Sequence, residues 1–260
     1  MFVDIHSHVV PSGDDGVRSI EEGLALCREA ARHGTTVLYA TPHVWPMDGL
    51  TVERERRVRA AFTEMAPAAA AFGLDLRLGF ELTPARALLD EAPERYHLDG
   101  MRAVLMEVPF SGPLGLAFRL AEHIADHGLV PIVAHPERSD EILERPELAD
   151  ALREHGCLLQ ANATSLVGYH GRACAEMGWL LVKQGSIDLV ASDGHRLSRP
   201  PFLDAAYDAA CKRVGEKAAR PLFDGSALEQ LLVVAPVDPL PHAVSTLPVY
   251  VHWKGRALWL

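Results

Sequence analysis

Cysteine, basic residues and long apolar runs are all scarce in this chain. The four cysteines, Cys27, Cys157, Cys174 and Cys211, are scattered and form no Cys-x-x-Cys pair, which argues against a disulfide framework. No basic segment with a following apolar stretch opens the chain, and no apolar run approaches the ~20 residues of a membrane span. The formal charge of −10 disfavours a dedicated nucleic-acid binder. These features predict a cytoplasmic protein without membrane insertion.

Apolar residues and histidines are abundant instead. Of the 260 residues, 48% are hydrophobic and 13 are histidine. Strand-like apolar stretches, from "FVDI" to "IDLVASD", alternate with amphipathic helical patterns, including one over 142–155 and a last one that opens at Pro201. This alternation predicts an α/β fold of parallel strands, and about seven units favour a closed or slightly open barrel over two domains. Residues 226–260 follow it as a proline-rich extension of unknown role.

Histidines and acidic residues stand where six of the seven predicted strands end. In "VDIHSH" the two histidines are two residues apart, so in an extended chain their side chains point to the same side. Because the carboxyl ends of barrel strands share one face, we expect these side chains to converge there. The candidate ligands are His6, His8, Asp15, His43, Glu81, Glu107, His135, Asp193 and His195. The remaining strand offers only the neutral Gln160 and Asn162.

Imidazole and carboxylate donors without thiolate favour a catalytic transition metal. Manganese, iron, cobalt and zinc suit such a set better than calcium does. Nine donors exceed the needs of one ion, so the pattern predicts two or three divalent ions that share a bridging carboxylate. Their excess positive charge would attract an anion and hold a hydroxide at neutral pH.

Two arginines and several further histidines need a separate interpretation. Arg138 follows His135 by three residues and Arg199 follows His195 by four, so both are candidates to clamp phosphate oxygens. Three histidines directly precede glycines that end predicted helices, and we interpret them as helix C-terminal caps: His33, His127 and His155. The others are interpreted as surface or packing residues: His97, His123, His170, His242 and His252.

The motifs "DIHSH…DDG", "TPH", "GFE", "MEV", "AHPER" and "ASDGH" together resemble the polymerase-and-histidinol-phosphatase (PHP) superfamily. More closely, they are similar to the bacterial manganese-dependent protein-tyrosine phosphatases of capsule and exopolysaccharide loci, the CpsB/CapC type. The resemblance spans about residues 1–225 and implies a distorted (β/α)7 barrel of the PHP fold. It also implies three bound metal ions, with manganese as the first choice of metal. It implies one metal on His6, His8, Glu81 and Asp193, a second on Glu81, Glu107 and His135, and a third on Asp15, His43 and His195.

The resemblance implies a phosphomonoesterase that dephosphorylates a bacterial tyrosine kinase controlling capsule or exopolysaccharide synthesis. A metal-activated hydroxide would attack phosphorus while Arg138 and Arg199 stabilise the developing charge. No Cys-x5-Arg motif follows any of the four cysteines, so a cysteine-nucleophile phosphatase is excluded, and no Gly-x-Ser-x-Gly motif is present either. The alternatives are a small-molecule phosphatase such as histidinol phosphatase, and a catalytically silent, metal-bound regulatory module.

Two features depart from the family pattern. Phe80 replaces the small residue usual before Glu81, a change expected to narrow or reshape the approach to the site. The extension after residue 225 aligns with nothing in the pattern. The native metal, the physiological substrate and a homo-oligomeric state are therefore left open.

Overall fold

The computed structural model describes residues 1–47, 49–232, 251–253 and 256–258. Nine strands of residues 1–232 lie in two parallel sheets, of order β1-β2-β4 and β3-β5-β6-β7-β8-β9. They are β1 (Phe2–Asp4), β2 (Thr35–Ala40), β3 (His43–Val44), β4 (Asp75–Leu78), β5 (Glu81–Leu82), β6 (Ala103–Glu107), β7 (Val130–Ala134), β8 (Leu158–Asn162) and β9 (Leu189–Ala191). Two further strands, β10 (Val251–Trp253) and β11 (Arg256–Leu258), pair antiparallel.

Helices connect these strands, and their ends follow local sequence signals. They are α1 (Ile20–Arg32), α2 (Val52–Ala70), α3 (Gly115–Asp126), α4 (Asp140–Glu144), α5 (Glu147–Glu154), α6 (Ala163–Leu166), α7 (Arg172–Gln184), α8 (Asp204–Val214) and α9 (Glu216–Ala219). The side chain of Ser19 accepts a hydrogen bond from the Glu22 amide and so caps α1. Gly185, with a left-handed φ of 74°, ends α7.

Both faces of the parallel strands are buried in apolar side chains. Along β6, Val104 and Met106 belong to the larger core cluster, while Ala103 and Leu105 belong to a smaller one. Successive side chains of a strand point to opposite faces, so each face of this sheet has its own core. The predicted parallel α/β fold is confirmed.

The segment after β1 links the two sheets through backbone hydrogen bonds. The Thr41 amide donates to the Ser7 carbonyl at 2.7 Å, and the Asp193 amide donates to the His6 carbonyl at 2.9 Å. This segment is therefore hydrogen-bonded on one side to the chain just after β2 and on the other side to the chain just after β9. Closure of the strands into a (β/α)7 barrel stays a prediction.

Two helix predictions are wrong in detail, and proline accounts for the first. The single helix expected over 142–155 is divided into α4 and α5, because Pro146 lacks an amide proton and disfavours helical backbone at Arg145, whose ψ is 79°. The helix predicted to open at Pro201 is α8, which begins at Asp204 instead. Pro201 instead packs on Gly194, where an added Cβ would lie 2.6 Å from the Pro201 Cα.

Of the predicted extension over 226–260, residues 233–250, 254–255 and 259–260 lie outside the described residues. In the part of the chain that the structure describes, no helix combines the length and the apolar character needed to cross a bilayer.

Candidate metal centre

Eight of the nine predicted ligands lie at most four residues past the carboxyl end of a strand, and Asp15 lies further along the loop after β1. His6 and His8 follow β1, His135 follows β7, and Asp193 follows β9. Six of the nine line one cavity of about 230 Å³, together with Arg138 and Arg199. Seven of the nine are buried, whereas His43 is half-buried and Asp15 is exposed. The structure thus brings together all eleven side chains that the sequence singled out.

The first group of donors centres on the two histidines that follow β1. The Nε2 atoms of His6 and His8 lie 3.3 Å apart, and Glu81 Oε2 lies 3.1 and 3.3 Å from them. Asp193 Oδ1 is 3.5 Å from both. Ligand atoms that surround an ion at about 2.0–2.2 Å in a tetrahedron are about 3.3–3.6 Å apart, so this spacing fits a metal ion.

Two further groups lie on either side of the first. In the second, His135 Nε2 is 3.2 Å from Glu81 Oε1 and 3.9 Å from Glu107 Oε2. In the third, Asp15 Oδ1 is 3.2 Å from His195 Nε2 and 3.6 Å from His43 Nε2. His8 also lies within reach of this third group, which adds a donor to the set expected from the sequence.

Unpartnered atoms around Glu81 test whether a metal fits. Glu81 Oε2 and His43 Nδ1 are 2.9 Å apart, yet both are buried without a hydrogen-bond partner. Buried polar atoms rarely lack a hydrogen-bond partner. A cation bound between these two atoms would satisfy both of them. These residues therefore fit a divalent metal.

Neighbouring side chains orient the two central histidines. His6 Nδ1 lies 2.9 Å from Gln160 Oε1, and His8 Nδ1 lies 3.2 Å from Asp14 Oδ2. Both partners can accept a hydrogen bond, so with a metal bound each Nδ1 would carry the proton and each Nε2 would present a lone pair to the ion. Metal-ligating histidines are held in this way.

Electrostatics keep the central carboxylates charged. Burial alone would raise the pKa of Glu81, but His43 and His6 hold it well below its usual range. Burial would also raise the pKa of Asp193, but His6 and His8 outweigh this effect and hold the pKa of Asp193 well below its usual range. By contrast, burial and the charge of Glu81 raise the pKa of Glu107. Two ionised carboxylates therefore face the histidine nitrogens, as a cation site requires.

Both arginines border the cavity beside Asp193. Arg138 Nη1 donates to Asp193 Oδ2 at 3.1 Å, and its guanidinium lies 4.3 Å from the centre of the Phe110 ring. Arg199 Nη2 contacts His195 Nδ1 and is 3.6 Å from Asp193 Oδ1. The Nε of Arg199 is buried without a hydrogen-bond partner. The cavity therefore offers guanidinium donors to an anion.

Sequence reasoning gave no role to several residues that support the site. Asn162 Nδ2 donates to Asp193 Oδ2 at 2.8 Å, and Gln160 contacts His6. Their position at the end of β8 was the available signal. The contacts themselves join residues that are 31 and 154 positions apart in the chain, and such contacts cannot be read from a single sequence. Trp45 and Phe110, which line the cavity, were also missed.

The histidines assigned to helix caps lie just after helices, as predicted. The Nδ1 atoms of His127 and His155 lie 2.8 Å from the carbonyl oxygens four residues earlier, which confirms capping there. His33 follows α1 but pairs with Asp204 Oδ2 at 2.6 Å, a contact with α8 that the sequence did not indicate.

Phe80 does not border the cavity. Its side chain is 2% exposed, belongs to the larger core cluster and meets the Tyr96 ring edge-on at 6.1 Å. The expectation that Phe80 narrows the approach is therefore not met, because the ring of this residue turns into the core.

Parallel strands that gather histidines, carboxylates and arginines at one end define an α/β protein with a candidate metal and anion site. The particular family follows from comparison with known proteins. The chain belongs to the capsular polysaccharide synthesis family CpsB/CapC, whose model matches residues 2–231.

Relatives with curated names agree with this membership. The tyrosine-protein phosphatase YwqE of Bacillus subtilis is 29% identical over 205 residues, which cover 77% of this chain and 80% of YwqE. The tyrosine-protein phosphatase CpsB of Streptococcus pneumoniae is 29% identical over 232 residues, covering 85% and 95% of the two chains.

Solved structures show the same relationship. A crystal structure from a study of YwqE and CpsB, described there as unique metal-dependent tyrosine phosphatases, superposes with a TM-score of 0.76 and 28% identity. It covers 85% of this chain and 90% of its own. A lactonase from Listeria monocytogenes, 13% identical with a TM-score of 0.52, shares the fold alone.

Proposed function

We propose that this protein is a metal-dependent phosphomonoesterase that acts on phosphotyrosine in proteins. The observation that carries the proposal is one cavity in which two arginines stand beside three groups of histidine and carboxylate donors. Membership of the CpsB/CapC family and the named activity of its curated relatives support the same conclusion.

We infer that the nine predicted ligands hold two or three divalent ions, with manganese as the first choice and iron, cobalt and zinc as alternatives. Three donor groups, two of which share Glu81, support this count. Such ions would supply Lewis acidity to a phosphoryl oxygen and lower the pKa of a water molecule. Gln160 and Asp14 keep the Nε2 atoms of His6 and His8 directed at the first group.

Arg138 and Arg199 would bind the phosphoryl oxygens and stabilise the charge that grows on them in the transition state. Asp193 holds the Arg138 fork in place by a 3.1 Å hydrogen bond. A tyrosine phenolate, with a pKa of about 10, leaves without a strong general acid, whereas a serine alkoxide needs one. The site therefore suits aryl phosphates better than alkyl phosphates.

We propose a phosphorylated tyrosine kinase as the partner, and control of capsule or exopolysaccharide synthesis as the setting. The family description, capsular polysaccharide synthesis, supports the setting, and the tyrosine-phosphatase names of curated relatives support a phosphotyrosine protein as the substrate. A cytoplasmic location belongs to the same proposal and is supported by four free cysteines. We also propose that the strands close into a distorted (β/α)7 barrel. The hydrogen bonds that join both sheets to the segment after β1 support that closure.

The test is a panel of phosphoesters assayed with metal-stripped protein that has been given back manganese, iron, cobalt or zinc. We expect activity with at least one metal, and faster hydrolysis of phosphotyrosine peptides than of phosphoserine peptides. A clear preference for histidinol phosphate would favour a small-molecule phosphatase instead. Metal binding without hydrolysis of any ester would favour a regulatory module.

A further inference from the structure

Two aromatic side chains are the apolar part of the cavity wall. Of the described residues that line the cavity, eight are charged or histidine and the other two are Trp45 and Phe110. Trp45 is half-buried and Phe110 is 46% exposed, so neither is enclosed in a core. A phosphate ion alone makes no use of apolar walls, and these two rings therefore need another explanation.

Each ring lies against a different histidine of the metal centre. The Trp45 ring lies 5.2 Å from the His43 ring at an interplanar angle of 27°, and the Phe110 ring lies 5.5 Å from the His135 ring. His43 belongs to the third donor group and His135 to the second. The two aromatic residues therefore flank the cavity from two sides.

One strand separates the two aromatic residues in the sheet. Trp45 directly follows β3 and Phe110 follows β6, and β5 lies between these two strands in the sheet. Strands two positions apart are about 9–10 Å apart. Aromatic pairs prefer centroid separations of about 4.5–7 Å, so this strand spacing fits a substrate ring held between Trp45 and Phe110.

We propose that Trp45 determines specificity for the aryl group of the substrate, packing on its ring with Phe110 on the other side. The proposal rests on the proposed phosphatase function and adds the residue that distinguishes aryl from alkyl esters. Phe110 has a second task, because Arg138 stacks on its face at 4.3 Å. Among the described residues no guanidinium stacks on Trp45, so its contribution is separable from phosphate binding.

The test is calorimetric binding of phenylphosphonate and methylphosphonate to the metal-loaded protein. Neither compound is hydrolysed, and they differ in the ring. We expect the parent protein to bind phenylphosphonate more tightly. In Trp45→Ala this preference should fall about three- to tenfold, the range for one aromatic pair, with methylphosphonate affinity and metal content unchanged. Trp45→Phe should restore most of the preference.

Two further variants sharpen the comparison. Phe110→Ala should weaken the binding of both phosphonates, since it also releases Arg138. Tyr169→Ala is the matched control, because Tyr169 is 59% exposed and is not among the described residues that line the cavity. It should change neither affinity.

Hydrolysis of benzyl and ethyl phosphate gives an independent measurement, because both release alkoxides and differ mainly in the ring. Trp45→Ala should raise KM for benzyl phosphate and leave KM for ethyl phosphate unchanged.

The inference is overturned if Trp45→Ala weakens both phosphonates equally, if it loses metal, or if the parent protein shows no preference for the phenyl compound. A phenyl preference that depends on Trp45, in a protein that does not hydrolyse phosphotyrosine peptides, would instead contradict the proposed function and leave the aryl site standing.

Discussion

Asp193 joins the two halves of the site in one side chain. Its Oδ1 faces the Nε2 atoms of His6 and His8, while its Oδ2 accepts hydrogen bonds from Arg138 and Asn162. The residue has a φ of 52°, in the left-handed region that non-glycine residues rarely adopt. Such strain persists only where the surrounding contacts fix it, and here it aims one carboxylate at both the metal donors and an arginine.

Removing the arginines should separate anion binding from metal binding. Guanidinium groups cannot ligate a cation, so Arg138→Ala and Arg199→Ala should leave metal content intact. Each loses a charge-assisted contact worth about 1.5–3 kcal/mol, and kcat/KM should fall about ten- to hundredfold. Lysine at either position should restore only part of the lost kcat/KM, because it keeps the positive charge but lacks the planar guanidinium group.

Inhibition by inorganic phosphate should weaken in the same two alanine variants. Arg172→Ala is the control, since Arg172 is exposed and pairs with Glu176 on the surface of α7. Steady-state kinetics and elemental analysis check both points. Unchanged kcat/KM and unchanged phosphate inhibition would show that neither Arg138 nor Arg199 binds the phosphoryl group.

Glu81 is the residue whose loss should affect more than one metal position. Its Oε1 faces His135, and its Oε2 faces His6, His8 and His43 at 2.9–3.3 Å. Glu81→Gln keeps the shape but removes the charge, so we expect elemental analysis to find more than one equivalent of metal lost. His127→Ala, which changes a helix cap, should retain full metal content. The shared-ligand assignment fails if both variants bind metal alike.

At the scale of elements, strand ends were predictable because apolar runs and the polar residues after them are local in sequence. Pro146 was a visible signal against one long helix over 142–155, and the amphipathic pattern on either side obscured it. The contacts of Gln160 with His6 and of Asn162 with Asp193 were not predictable, since they depend on which strands become neighbours. Local pattern therefore located the donors, and tertiary structure alone supplied the groups that orient them.

The packing of α1 against the segment after β1 gives an element-scale prediction. Alanine is usually better than glycine inside a helix by about 1 kcal/mol. At Gly23, however, an added Cβ would lie 2.1 Å from the Val9 carbonyl oxygen, which is backbone close to His8. We therefore expect Gly23→Ala to lower the free energy of unfolding and to reduce metal content as well.

The matched control is Gly115→Ala at the start of α3, where an added Cβ meets nothing within 4 Å. That variant should be neutral or slightly stabilising in thermal denaturation. Similar melting temperatures for the two variants would show that α1 can shift away from Val9 without cost.

For the whole molecule, the open question is where the folded body ends. Leu228 and Leu231 are buried in the smaller core cluster beside Ile5 and Tyr39. The Arg102 amide also donates to the Leu231 carbonyl at 2.9 Å. The match to the CpsB/CapC family likewise runs to residue 231. A boundary at residue 225 stays a prediction, and these contacts support placing it after residue 232.

Two truncations distinguish these boundaries. A chain ending at Leu232 keeps every described residue of both core clusters, so its melting temperature and its phosphatase activity should match those of the full chain. A chain ending at Gly225 loses Leu228 and Leu231. Truncating one buried leucine typically costs about 2–5 kcal/mol, so this chain should unfold at a clearly lower temperature or fail to fold. Equal stability of the 1–225 and 1–232 chains would place the boundary at 225 after all. Loss of stability in the 1–232 chain would show that residues 233–260 support the body.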